Sequence, residues 1–124
     1  MTIAELIQSA AHSWAPPPKQ KVSEWAESNF VLSPEYSAKT GNLHLFKFQR
    51  EPLDCIGDPF VREQVIMSAT QMLKTLTLQV GIAYAIAADP GPILLAQPTE
   101  TDAETFSKER LTPMIRDMEC LRSR

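Results

Sequence analysis

The chain has 124 residues, of which 44% are hydrophobic and 22% are charged, and its formal net charge is -3. This composition predicts a folded globular protein and excludes a disordered tail. The sequence pI of about 5.3 argues against a dedicated nucleic-acid-binding domain, because such domains concentrate Lys and Arg until the pI exceeds about 9. Two cysteines are too few for a disulfide scaffold, and no apolar run reaches the roughly 18 residues of a membrane-spanning helix. We therefore expect a cytoplasmic protein without membrane contact.

The N-terminal part predicts a short helix and a stiff linker. Apolar residues recur at helical spacing over residues 2–13 and predict an amphipathic helix. Three prolines at residues 16–18 exclude its continuation and predict a polyproline linker, so residues 1–20 are expected to precede a unit formed by residues 21–124. A second helical pattern covers residues 22–31, with Ser23 as a possible N-cap.

The middle of the chain begins with a predicted loop over residues 32–42 and an extended stretch over residues 43–48. Residues 50–56 predict one or two helical turns. Between residues 64 and 99 the only charged residues are Lys74 and Asp89, so this stretch is expected to lie in the interior.

The charge-poor stretch contains two short apolar runs, at residues 65–67 and 93–96, which are typical of buried parallel strands. A helix is predicted from Lys74 to about residue 88. After the second run, Thr101 and Glu104 form a possible capping box for a helix through residue 111. The order strand, helix, strand, helix predicts an α/β fold with a parallel sheet between flanking helices.

Residues 68–75 (SATQMLKT) follow the first predicted strand, where open α/β sheets bind their ligands. A phosphate-binding loop needs converging backbone amides, a Lys for the outer phosphates and a Ser or Thr hydroxyl for magnesium. Lys74 and Thr75 supply the last two. Ser68 and Leu73 replace the glycines of the motif, so the loop is expected to be strained at Leu73 or to have another shape. Alternatively, Lys74 is only a solvated residue in the first turn of a helix.

Residues 89–117 (DPGPILLAQPTETDAETFSKERLTPMIRD) resemble the ATPase segment of the large terminase subunits of lambda-type tailed bacteriophages, the GpA-like family. Similar features precede this run: WAE at residues 25–27, LSPE at 32–35, FQ at 48–49 and DP at 58–59. The resemblance covers about residues 22–116. It implies a partial P-loop NTPase of the ASCE type, preceded by the N-terminal helix and linker, with residues 21–124 ending before the Walker B strand.

The resemblance also implies ATP and Mg²⁺ as cofactors and a deviant Walker A loop. Gln49 would read the adenine base, Lys74 would contact the β and γ phosphates, and the Thr75 hydroxyl would bind magnesium. The implied nucleotide-binding set is Gln49, Ser68, Ala69, Thr70, Gln71, Met72, Leu73, Lys74 and Thr75. Two simpler interpretations stay open, in which Gln49 is a loop residue that caps the turn before Pro52 and Thr75 caps its own helix.

For the full-length protein, the resemblance implies ATP-driven packaging of DNA into procapsids in the cytoplasm of the bacterial host. The implied partners are the small terminase subunit, double-stranded DNA and the portal protein. We find no Walker B run and no catalytic residue in the sequence, so we expect no hydrolysis by the chain alone. The alternative is a non-catalytic interaction module, a truncated terminase remnant that binds the small subunit or another partner.

Overall fold

The computed structural model describes residues 2–15, 19–35 and 37–123, and the predicted linker at residues 16–18 lies outside them. The described chain is rich in helices. They are α1 (Ile3–Trp14), α2 (Val22–Asn29), α3 (Lys47–Ile56), α4 (Lys74–Ala87), α5 (Glu100–Phe106), α6 (Thr112–Asp117) and α7 (Glu119–Arg122), with a π-helix at Ser107–Leu111. Strands β1 (Val31–Leu32) and β2 (Gly41–Asn42) pair antiparallel. Among the described helices, none is both long enough and apolar enough to cross a membrane.

The hydrophobic core lies where α2, α3 and α4 pack together, and α6 and α7 close it. Its largest fully buried side chains include Phe30, Leu53, Met114 and Met118. The ring of Trp25 on α2 meets Tyr84 on α4 edge to face, with 5.4 Å between the ring centroids. Apolar faces recurring at helical spacing therefore produce the core, as is usual for amphipathic helices.

The predicted helices at residues 2–13, 22–31, 50–56 and 74–88 are confirmed as α1, α2, α3 and α4, with ends shifted by up to three residues. The predicted extended stretch is wrong at residues 47 and 48, which belong to α3. The predicted capping role of Ser23 is wrong. Helix α2 has its N-cap at Lys21, and the backbone N–H of Ser23 donates to Oδ1 of Asp54 at 2.9 Å. A carboxylate of α3 thus satisfies a first-turn amide that the sequence assigned to local capping.

The predicted parallel strands at residues 65–67 and 93–96 are not formed in the described chain. Val65, Met67 and Leu94 are 77%, 94% and 94% exposed, so the low charge of this stretch does not place it in the interior. A strand is stabilised by its ladder to a neighbour, and neither segment has one within residues 37–123. In the part of the chain that the structure describes, the sheet is therefore the antiparallel pair β1 and β2 alone.

The helix predicted to start at Thr101 instead starts after Thr99, whose Oγ1 accepts from the Asp102 N–H at 3.1 Å. It continues through the π-helix into α6. Pro113 lacks an N–H, so the α-helical bond to the carbonyl of Glu109 cannot form. The backbone N–H of Thr112 donates to Ser107 five residues earlier, as a π-helix requires.

Glu27 on α2 joins three parts of the fold. Its Oε1 accepts from the backbone N–H of Leu45 at 3.0 Å, and Nη2 of Arg50 on α3 donates to both carboxylate oxygens at 2.8 and 2.9 Å. The Leu45 amide, followed by Arg50, lowers the pKa of the Glu27 carboxyl below its usual 4.5. The ionised Glu27 carboxylate therefore binds both the segment before α3 and the first half of α3 to α2.

Replacing Glu27 with Gln is expected to lower the free energy of unfolding at neutral pH by about 1 kcal/mol, because a half-exposed ion pair and a charge-assisted bond are lost. Folding lowers the pKa of Glu27, so its contribution is present above about pH 4.5 and is lost as the pH falls through the lowered value. Urea unfolding at about pH 7 and about pH 3 tests this, with Glu24→Gln on the same helix as control. A penalty of equal size at both pH values would contradict it.

Candidate functional site

Helix α4 begins without a side-chain cap. Its N-cap residue is Leu73, and Lys74 and Thr75 are its exposed first and second residues. The first N–H groups of a helix have no acceptor within the helix, and the helix dipole adds partial positive charge there. Within the described part of the chain the Lys74 ammonium makes no ion pair. Thr75 lies inside the helix and makes no capping hydrogen bond, so the alternative in which it caps α4 is wrong.

The loop formed by residues 68–73, called the 68–73 loop below, leads into this helix end through a turn at residues 70–72. Its left-handed residue is Gln71, at φ +61°. Leu73 has φ -153°, its side chain is 7% exposed, and its carbonyl accepts from the N–H and the hydroxyl of Thr77. Of the two expectations, strain at Leu73 is therefore wrong and another loop shape is found, because Leu73 starts the helix with a negative φ and the left-handed residue is Gln71.

The start of the loop holds an unsatisfied polar atom. The hydroxyl oxygen of Ser68 is buried and has no hydrogen-bond partner among the described residues, as is also true of Nε2 of Gln79 in α4. Burying such a group without a partner is costly, so an acceptor or donor supplied from outside would stabilise it. The remaining residues of the loop, Ala69 to Met72, are exposed.

Gln49 lies on α3 and is connected to the loop. Its side chain is 7% exposed, its Oε1 accepts from the backbone N–H of Phe46, and its Nε2 donates to the carbonyl of Met72, both at 3.0 Å. The first bond caps the start of α3. The interpretation of Gln49 as a loop residue before Pro52 is wrong, because both residues lie within α3. The second bond brings Gln49 against the 68–73 loop. The structure thus brings together Gln49 and the loop that precedes Lys74.

Two features were missed in the sequence, and the first lies beside Gln49. The rings of Phe46 and Phe48 stack at 5.8 Å between centroids with an interplanar angle of 6°, and the side chains are 66% and 51% exposed. They present a flat apolar surface next to Gln49. The signal that could have found them is two aromatic residues two positions apart in a segment expected to be extended.

The second missed feature joins two of the strings that carry the family resemblance. Glu35, beside the buried Ser33, pairs with Nη2 of Arg116 at 2.7 Å, and Nε of Arg116 donates to Asp117 at 2.9 Å. Arg116 and, second, Ser33 lower the pKa of Asp117. An ion pair therefore joins the LSPE segment at residues 32–35 to the end of α6.

A metal centre would need more than Thr75. Within the described ranges no group of three or more His, Cys, Asp or Glu side chains is arranged to hold a metal ion. Magnesium prefers several oxygen ligands, including carboxylates. The Thr75 hydroxyl is thus at most one ligand of an incomplete shell.

The comparisons with known proteins agree with the sequence resemblance. The family model described as phage terminase large subunit gpA, ATPase domain, matches residues 37–124. The large terminase subunit of Escherichia phage lambda is 28% identical over 119 residues, and that of Enterobacteria phage P21 is 30% identical over 95 residues. No solved structure matches the chain.

The matches cover 96% and 77% of this chain but only 19% and 15% of the lambda and P21 proteins, so the chain spans less than one fifth of the length of these relatives. The matched family model covers most of the chain, including Gln49, the 68–73 loop and all of α4. The chain therefore belongs to the family of ATPase domains of phage terminase large subunits.

Proposed function

We propose that the chain is the N-terminal, nucleotide-binding part of a protein that uses ATP to package phage DNA into procapsids. Membership of the terminase ATPase family supports this function. The observation that carries the nucleotide site is the uncapped N-terminus of α4, where exposed Lys74 has no ion-pair partner among the described residues. An anion is the ligand that such a helix end favours.

The residues at this helix end fit a polyphosphate. Lys74 would neutralise the outer phosphates, and the first amides of α4 would donate to phosphate oxygens. The Ser68 hydroxyl, which lacks a partner in the described chain, would gain an acceptor. In this proposal Ala69, Thr70, Gln71 and Met72 contribute backbone N–H groups and not side chains, while buried Leu73 fixes the start of the helix.

Bound ATP would supply the free energy for packaging. In this chain, Lys74 and the helix amides orient the phosphates, and Thr75 offers Mg²⁺ a single hydroxyl. Because the described residues provide no metal-binding carboxylate cluster, we place no hydrolytic step on them. Phosphate release by the chain alone is expected to stay at background.

We also propose that the apolar segments at residues 65–67 and 93–96 are strands of a P-loop NTPase sheet of the ASCE type. Their exposed Val65, Met67 and Leu94 side chains would be covered, and their backbone groups paired, by polypeptide outside this chain. The much greater length of the lambda and P21 relatives supports such a source.

A second candidate function, an interaction module, is favoured by α1. Thr2 caps this helix and Glu5 completes a capping box, yet Ile3, Leu6, Ile7 and Trp14 are 77%, 52%, 64% and 88% exposed. An exposed apolar stripe of this kind favours a partner protein. We propose the small terminase subunit as that partner, with double-stranded DNA and the portal protein as partners of the full-length protein in the host cytoplasm.

Replacing Lys74 with Ala is expected to weaken ATP binding by about tenfold to hundredfold, because one charge-assisted contact to the phosphates is lost. Isothermal titration calorimetry with ATP measures the change. Lys39→Ala, which removes an exposed ammonium elsewhere, should bind as the wild type does. Equal affinity of the Lys74 variant and the wild type would remove the nucleotide site from this helix end.

Glycine substitutions at Leu73 and Gln71 distinguish the loss of a buried side chain from the relief of backbone strain. Leu73→Gly is expected to cost about 2–5 kcal/mol of unfolding free energy because it removes a buried side chain, and not to tighten ATP binding. Gln71→Gly is expected to be neutral or to stabilise by up to about 1 kcal/mol, because glycine adopts a positive φ without strain. Urea unfolding and calorimetry check both variants. A stable Leu73→Gly chain that binds ATP more tightly would place the strain at Leu73.

Deleting residues 1–15 is expected to leave the melting temperature within a few degrees of the wild-type value, because the apolar side chains of α1 are exposed. The same deletion should abolish co-purification with the small terminase subunit. Ile3→Ser with Ile7→Ser should reproduce the loss of binding, and Ser9→Ala should not. Loss of the folded state on deletion would show that α1 belongs to the core.

A further inference from the structure

The segment between α3 and α4 is attached to α3 by two glutamine side chains. Nε2 of Gln64 donates to the carbonyl of Pro52 at 2.9 Å, and Nε2 of Gln49 donates to the carbonyl of Met72 at 3.0 Å. The segment therefore returns along α3, and its last attachment lies directly before α4. The first bond is exposed, whereas Gln49 is 7% exposed.

The bond from Gln49 to the Met72 carbonyl lies where it can hold the backbone of the 68–73 loop. Met72 lies between left-handed Gln71 and the buried helix-starting residue Leu73. A left-handed residue other than Gly is held only when its surroundings determine it. The bond from Gln49 to the Met72 carbonyl holds the backbone of the residue that follows left-handed Gln71. It therefore also holds the backbone that leads into Lys74, the first residue of α4.

We infer that Gln49 is a positioning residue of the 68–73 loop, acting on nucleotide through the Met72 carbonyl and not by reading the base. This inference rests on the proposed nucleotide function. Its structural basis is that one hydrogen of the Gln49 amide is committed to the loop, while its oxygen is committed to the start of α3. A ligand that lacks a base depends on Gln49 as strongly as ATP does.

Hydrogen exchange of the nucleotide-free chain tests the positioning. Gln49→Met removes both bonds without adding charge, and Gln49→Glu keeps the acceptor for the Phe46 N–H but loses the donor to Met72. In both variants, exchange of the amides of residues 77–80, the first in α4 whose N–H groups have an acceptor in the helix or its N-cap, is expected to speed up by about tenfold relative to α2, the effect of losing one net hydrogen bond. Gln64→Met, which removes the exposed bond of the same segment, should leave these amides unchanged.

Titration with two probes, ATP and inorganic tripolyphosphate, separates positioning from base reading. Gln49→Met is expected to weaken both by the same factor, about tenfold. Loss of ATP affinity with unchanged tripolyphosphate affinity would overturn the inference, because Gln49 would then read the base. Unchanged exchange at residues 77–80 in both variants would overturn it as well.

Failure of the proposed function is distinguishable. If neither probe binds the wild-type chain, nucleotide binding at α4 is refuted, and with it the part of the inference that concerns ligand affinity. The exchange result still decides whether Gln49 positions the loop.

Discussion

The burial of one face of α4 is the interaction on which the rest of the structure depends. Val80 and Ala83 are fully buried, and Ala87 is 8% exposed, against α2, α3 and α7. Small residues allow close approach: a Cβ on Gly81 would lie 3.3 Å from Cδ1 of Ile56 in α3. Because α4 is buried on one face from Thr77 to Ala87, its packing also fixes the position of its N-terminus. Lys74 is the exposed first residue of that helix.

The same packing explains how the 68–73 loop can be ordered without the glycines of a phosphate-binding motif. The motif usually relies on Gly to let the backbone turn before the lysine. Here the left-handed position is Gln71, the side chain of Leu73 is buried, and Gln49 of α3 holds the carbonyl between them. The order of the loop comes from its contacts with α3 and the interior.

The helices α2 and α4 could be predicted because the apolar residues that form each buried face recur at helical spacing within the segment itself. The absence of strands at residues 65–67 and 93–96 of the described chain could not be predicted, because a strand depends on a neighbour that no local pattern reveals. Likewise, the low charge around Val65 and Leu94 predicts burial, whereas the two side chains are 77% and 94% exposed.

At the site, residue types indicated Lys74 and Thr75, while Gln49 was indicated by the resemblance to the terminase family, which the matched family model confirms. The location of the strain was missed because a backbone dihedral depends on tertiary contacts. Leu73 is the residue that occupies the glycine position of the motif, yet its burial keeps its φ negative and moves the left-handed position to Gln71. The pairs Glu27 with Arg50 and Glu35 with Arg116 were missed because they join residues far apart in sequence.

The most direct measurement is a ¹⁵N NMR titration of the chain with ATP, following every backbone amide. Binding of phosphate at the start of α4 predicts the largest shifts at the amides of Lys74, Thr75 and Leu76, with smaller shifts through the 68–73 loop and at Gln49. Shifts that are absent there, or that concentrate around the exposed Lys19 and Lys21 before α2, would contradict the assignment of the nucleotide site to α4.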